Sequence, residues 1–211
     1  MTFPVRFQDA ASSANFPLDG AMSSMDFANM KEGDGTRRNW DYTDYEEDIF
    51  VGYRYFDSFG KEVSYPFGYG LSYTTFEYGK PSVDLVNGVY KVNVEVRNSG
   101  NVAGREVVEL YAASPDSKAA DRPEKELKAF AKTPLLAAGE TCTVTLTFSA
   151  ADLASFDTPS SSWIVAGGNW NFLVGASSRD IRYSVEVNVM ASSSQAGDFF
   201  KSDKTLNLLT R

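Results

Sequence analysis

Histidine is absent from the 211 residues. Its absence excludes a Ser-His-Asp triad, histidine-ligated zinc and an imidazole general base. Cysteine is almost as scarce. Cys142 has no second thiol to pair with, and in the run Thr141-Cys-Thr-Val-Thr-Leu-Thr-Phe148 it reads as a buried strand thiol rather than a nucleophile. Lack of disulfides leaves the compartment undecided, so localisation is unassigned. Positive charge is also short: twenty Lys and Arg stand against twenty-eight Asp and Glu, a formal charge of −8. With no basic run to offset it, nucleic acid is not an expected partner. No stretch approaches the roughly 18 consecutive apolar residues of a membrane-crossing helix, so no membrane association is expected. Met1-Thr-Phe-Pro-Val-Arg6 has neither the charged start nor the apolar stretch of a signal peptide.

What is present is apolar and aromatic. Apolar residues make up 43% of the chain and aromatics 14%, enough for a packed core. Fifteen Phe, eleven Tyr and three Trp favour β structure, and offer faces on which sugar rings could stack. The length suits one good domain and a smaller appendage, and is too short for a (β/α)₈ barrel of about 250 residues together with anything else.

The pattern changes along the chain. Residues 1–41 hold no sustained period: Phe3-Pro-Val-Arg-Phe7 suggests a short strand, Asn15-Phe-Pro-Leu-Asp-Gly20 a turn and Lys31-Glu-Gly-Asp-Gly-Thr-Arg-Arg38 a polar loop. Asp48 to Asp57 reads as extended or partly helical, and Pro66, Gly68 and Gly70 then interrupt the backbone as an ordered turn or linker. After Leu71 a period of two sets in. In Tyr90-Lys-Val-Asn-Val-Glu-Val-Arg97 the side chains of Tyr90, Val92, Val94 and Val96 share the inner face, while Lys91, Asn93, Glu95 and Arg97 face water. Asn98-Ser-Gly-Asn101 is a tight turn. Further strands are expected over 104–112, 126–130, 141–148, 163–165, 168–175 and 181–189, separated by turns such as Ala137-Ala-Gly-Glu140. About seven short strands in this space indicate a mainly β, immunoglobulin-like or fibronectin-III-like antiparallel sandwich.

Two aromatic runs carry a resemblance. Tyr42-Thr-Asp-Tyr-Glu-Glu-Asp-Ile-Phe-Val-Gly-Tyr-Arg-Tyr-Phe-Asp57 and Tyr65-Pro-Phe-Gly-Tyr-Gly-Leu-Ser-Tyr-Thr-Thr-Phe-Glu-Tyr78 resemble the segment that joins the second domain of family 3 glycoside hydrolases (β-glucosidases, β-xylosidases) to their C-terminal fibronectin-III-like domain. Asn98-Ser-Gly-Asn-Val-Ala-Gly-Arg-Glu-Val-Val-Glu-Leu-Tyr111, Arg122-Pro-Glu-Lys-Glu-Leu-Lys-Ala-Phe130, Leu153-Ala-Ser-Phe-Asp157 and Val174-Gly-Ala-Ser-Ser-Arg-Asp-Ile181 are similar to that domain. The resemblance implies an irregular remnant of an α/β sandwich domain at 1–41, an aromatic-rich interdomain linker at 42–70, the fibronectin type III-like sandwich at 71–190 and a tail at 191–211. It also implies that Met1-Thr-Phe-Pro4 corresponds to an internal stretch of a longer enzyme. The parent is expected to be bacterial and periplasmic or secreted.

The same resemblance bears on chemistry. Retaining glycosidases use two carboxyl groups about 5–5.5 Å apart. Pairs of acids close in sequence, such as Glu46/Glu47 and Glu124/Glu126, are common in so acidic a chain and read as solvated edges. The family's nucleophile lies in a Ser-Asp-Trp-like motif; here Ser202-Asp203 is followed by Lys204, and the acid/base residue belongs upstream, so no catalytic role carries over to any residue. Arg37, Arg38, Trp40 and Tyr42 combine guanidinium donors with aromatic faces and are candidates for a substrate lip at the active-site mouth; packing between domains is the competing reading. Tyr53, Tyr55, Phe56, Tyr65, Phe67, Tyr69 and Tyr73 read as interdomain glue rather than a sugar-binding strip. Asp116 and Asp121 lack calcium-loop spacing, and no metal or cofactor is assigned.

A non-catalytic C-terminal portion of a β-glucosidase-like enzyme is therefore expected, stabilising the catalytic domains and shaping the active-site mouth. Its expected partners are those upstream domains, a β-linked oligosaccharide through the parent enzyme only, and a second copy of itself through exposed apolar surface. A stand-alone carbohydrate-binding or adhesion module and a subunit of a split glycosidase stay open as alternatives. Residues 1–70 discriminate, because a free binding module has no use for them.

Overall fold

A computed structural model describes residues 1–14, 47–117 and 122–195. The elements in chain order are β1 (Phe3–Pro4), α1 (Tyr53–Ser58), β2 (Val63–Tyr65), β3 (Phe76–Tyr78), β4 (Ser82–Val86), β5 (Val89–Asn98), β6 (Val107–Ala113), β7 (Glu126–Lys132), β8 (Thr141–Ser149), β9 (Ser155–Asp157), β10 (Ser162–Val165), β11 (Gly168–Gly175), β12 (Ile181–Val189) and β13 (Ser192–Gln195). Short 3-10 turns cover Phe7–Asp9, Ala11–Ala14 and Ala150–Leu153.

Two four-stranded antiparallel sheets face each other. In one, β5 pairs with β8 along its whole length and with β3 and β4 on its other edge; in the other the order is β12-β11-β6-β7. The alternation along β5 sets the packing. Tyr90, Val92, Val94 and Val96 are buried, Lys91, Glu95 and Arg97 are exposed and Asn93 is half-buried. Their partners on β8 are Phe148, Leu146, Val144 and Cys142. β11 contributes Trp170, Phe172 and Val174 from the opposite sheet. Tyr90, Phe148 and Phe172 meet at centroid separations of 5.1–5.3 Å, two of the three pairs edge-on, an arrangement that adds to the burial of each ring.

Asn98 ends β5 and fixes the turn that follows. Its amide donates to the carbonyls of Val102 (2.8 Å) and Leu136 (2.9 Å), and its Oδ1 accepts from the Thr74 hydroxyl (2.6 Å), so a fully buried amide is satisfied. Cys142 lies on β8 as the sequence suggests, but at the start of the strand, before the buried Val144, Leu146 and Phe148, it is half-buried rather than buried. Burial, then the Glu140 carboxylate, holds its thiol above the usual range, which keeps it a poor nucleophile.

Five strands, β2, β3, β4, β9 and β13, fall outside those expected from the period of two. β9 and β13 flank β10 in a small three-stranded antiparallel sheet. Ser192–Gln195 reads as linker by composition, yet it pairs in register with Val165–Ser162, since a serine run still offers a full row of backbone donors and acceptors.

Candidate docking face

β6 breaks the alternation that governs its neighbours. Val108, Glu109, Leu110, Tyr111 and Ala112 are buried in succession, so both faces of this strand are covered. The inner face meets the other sheet. Residues 50–69 cover the outer face.

This covering segment has little regular structure of its own. α1 has only six residues, and its N-cap Gly52 sits at φ 55° with no side-chain cap. A helix so short is marginal in isolation, so its order comes from anchors on the sandwich. Tyr53 is one: its hydroxyl accepts the Leu127 backbone N–H at 2.8 Å, and its ring lies 5.1 Å from Phe67 and 5.7 Å from Tyr111. Asp57 is the second. Arg179 donates to its Oδ1 at 2.7 Å, and Lys125 Nζ stands 3.1 Å from Oδ2, an ion pair without the geometry of a directed hydrogen bond. Arg179 also donates to the carbonyls of Phe56 and Lys61 (3.3 and 2.7 Å), Glu124 N–H donates to the Ser58 hydroxyl (2.9 Å), and Ser178 N–H to the Phe67 carbonyl (2.8 Å).

Gly68 closes the cover. It sits at φ +82°, a conformation that favours glycine, and a Cβ there would stand 2.5 Å from both carboxylate oxygens of Glu109. Glu109 is 5% exposed and accepts the Tyr111 hydroxyl. Burial raises its carboxyl above the ordinary 4.5 despite that hydrogen bond.

The side of this segment turned away from the sandwich is different. Phe3 and Pro4 of β1 pair with Tyr65 and Val63 of β2, and the rings of Phe3, Tyr65 and Tyr69 follow one another at 6.3 and 5.0 Å. Phe3, Val51, Phe59, Tyr65, Tyr69 and Leu71 are each at least half exposed, and Tyr73 is 99% exposed. The seven rings that sequence reading grouped together therefore divide. Phe56 is buried, Tyr53, Tyr55 and Phe67 are half-buried, and Tyr65, Tyr69 and Tyr73 point outward.

Arg37, Arg38, Trp40 and Tyr42, the candidate lip residues, lie outside the described residues, as do Glu46 and Asp121. Of the other acids, Asp116 accepts the Ser114 hydroxyl, Glu124 is exposed and Glu126 is not a solvated edge. Glu126 lies between Lys128 (3.0 Å), Arg54 (3.5 Å) and Arg122 (3.8 Å). Burial works against its ionisation, but these three cations outweigh it and hold the carboxyl below the usual range. Among the described residues no group of three or more His, Cys, Asp or Glu side chains could hold a metal ion. Sequence reasoning did not single out Asp57, Lys125, Arg179 or Glu109. The repeated Gly of Pro66-Phe-Gly-Tyr-Gly70 was the one local signal for the close approach at Glu109.

The sandwich is a fibronectin type III-like domain, and that family matches residues 106–178. The likeness extends well beyond the domain. Thermostable beta-glucosidase B of Acetivibrio thermocellus is 41% identical over 193 residues, which cover 89% of this chain and 23% of that protein. The structure of beta-glucosidase 3B from Thermotoga neapolitana in complex with alpha-D-glucose superposes with a TM-score of 0.77 at 39% identity, covering 92% of this chain and 25% of that one. The GH3 beta-glucosidase of Bifidobacterium adolescentis superposes at 0.75 with 34% identity, covering 91% and 25%. The chain belongs with the β-glucosidases of glycoside hydrolase family 3 and corresponds to their C-terminal portion. It spans about a quarter of the length of these relatives.

Proposed function

We propose that this chain is a non-catalytic supporting portion of a β-glucosidase-like glycoside hydrolase, docking the catalytic domains and bordering the active-site mouth. The observation that carries the reading is the two-sided segment: one side is fixed to the sandwich by Tyr53, Asp57 and Gly68, while the other presents Phe3, Tyr65, Tyr69, Leu71 and Tyr73 to solvent. Exposed large apolar side chains gathered on one segment, three of them in ring contact, are typical of an interface. Relatives about four times longer supply the kind of partner it fits, namely the remainder of such an enzyme. The carboxylates at hand agree with a supporting role. Asp57 and Glu126 are neutralised by cations, and Glu109 lies beneath Gly68 where no substrate reaches.

The test is an assay of the purified 211-residue chain on aryl β-glucoside and β-xyloside, with light scattering alongside. No turnover is expected. Self-association is expected, and Leu71→Ser with Tyr73→Ser should shift the chain toward monomer without lowering its melting temperature. Sustained turnover that stays with the chain, or a clean monomer before substitution, would overturn the reading.

A further inference from the structure

A second feature borders the covering segment at α1. Between α1, the start of β7, the 150–153 turn and the β9-β10-β13 sheet runs a cleft of about 690 Å³, within the range of small-molecule sites, roughly 300–1,000 Å³. Trp163 of β10 lines it. Its cross-strand partner Phe156 holds it edge-on at 5.3 Å, and the indole is 47% exposed. Trp170, by contrast, is 1% exposed with its Nε1–H satisfied by the Ala166 carbonyl at 2.9 Å, so the chain buries a tryptophan where the core needs one. Trp163 is instead propped at a wall.

Part of the lining is ionic. Arg54, Glu126, Lys128 and Asp152 line the cleft, two cations and two anions, so its formal charge is zero. Lys128 Nζ donates to Glu126 (3.0 Å) and to the Asp152 carbonyl (2.7 Å), which fixes the ammonium and leaves donors and acceptors side by side. Beside Glu126, outside the lining, Arg122 packs over Trp170 at 5.4 Å and donates to the Leu153 carbonyl at 3.2 Å. Cations and anions balance among the lining residues, so these give an ionic ligand no net attraction. A neutral polyol needs none, because each hydroxyl both donates and accepts. The apolar C–H face of a sugar ring suits the exposed indole.

We propose that this cleft is a carbohydrate-binding site for a neutral oligosaccharide of hexose units, with Trp163 as its stacking platform. The choice of a β-linked glucose oligomer as the probe rests on the β-glucosidase reading. The site takes Arg54 from the covering segment but none of that segment's exposed rings.

The experiment titrates the intact chain with cellotetraose and follows tryptophan indole N–H resonances, with an oligogalacturonate of equal length as the charged control. The Trp163 resonance should move and saturate in the millimolar range, and that of Trp170 should stay. Trp163→Ala should weaken binding by about tenfold or more, while Trp163→Tyr keeps most of it. A Trp163 resonance that stays still at millimolar cellotetraose, or tighter binding of the charged oligomer, overturns the proposal. Glucose release during the titration would count against the supporting role, whereas the Trp163 shift reports on the cleft alone.

Discussion

In the sandwich, Val92, Val94 and Val96 of β5 stand opposite Leu146, Val144 and Cys142 of β8, each fixed by a ladder of neighbouring backbone bonds and by the alternation of its own strand. In the segment across its outer face, Asp57 is fixed by Arg179, 122 residues away, and Tyr53 by Leu127, 74 residues away. The first region is specified many times over by repeated pairings along one ladder, so no single contact decides it. The second hangs on a few isolated anchors, and each is singly removable. One surface of that segment belongs to the sandwich and the other faces solvent. The contrast shows how a module can hold an exposed apolar surface in shape without forming a second core.

The contrast is broken most severely from the sandwich side. Trp170→Ala removes a fully buried indole along with its hydrogen bond to Ala166 and the stacking of Arg122, and should cost about 4 kcal/mol. Chemical denaturation should then show the whole chain unfolding at much lower denaturant. A loss below about 1 kcal/mol would mean that the core is not centred where β11 places it.

Asp57→Ala addresses the other region. It strips the counter-charge from Lys125, whose side chain is buried, and the anchor from Arg179, at a cost of about 2–3 kcal/mol. The expected consequence is local. Protease cleavage within residues 50–70 should accelerate, while the sandwich melts within a few degrees of the parent. If the chain instead unfolds in one transition displaced as far as by Trp170→Ala, segment and sandwich form a single cooperative unit and the distinction fails.

The same distinction explains what could be read in advance. The alternation of 90–97 and of 168–175 gave the strands and their inward faces, because a period of two is a local property. Strands β9 and β13 carry too few apolar residues to show it. α1 and the division of the aromatic rings were not legible, since nothing near Tyr53 or Tyr73 in the sequence says which ring meets Tyr111 and which meets solvent. Gly68 was visible as a break, but not Glu109 as its reason. The cleft at Trp163 is assembled from Arg54, residues 126–128, Asp152 and Ser192–Ser194, stretches that only the folded sheet brings together. Arg37, Arg38, Trp40 and Tyr42 stay a proposal carried by the family resemblance.

The smallest and sharpest test lies where the two regions touch. Glu109 is the one carboxylate pressed between β6 and the Gly68 backbone, and burial holds its folded-state pKa above the unfolded value near 4.5. The folded chain thus binds a proton that the unfolded chain has already released. Its contribution to stability is fully present below about pH 4.5, and is lost as pH rises through the folded pKa. Glu109→Gln keeps the shape and an acceptor for the Tyr111 hydroxyl but cannot ionise. At neutral pH the substitution should raise the melting temperature by about 2 °C, and the gain should vanish below pH 4.5, where the native carboxyl is neutral in both states. Melting curves of both proteins across that range decide it. A gain that persists in acid, or a loss at neutral pH, would mean that the ionised carboxylate is itself an anchor of the segment.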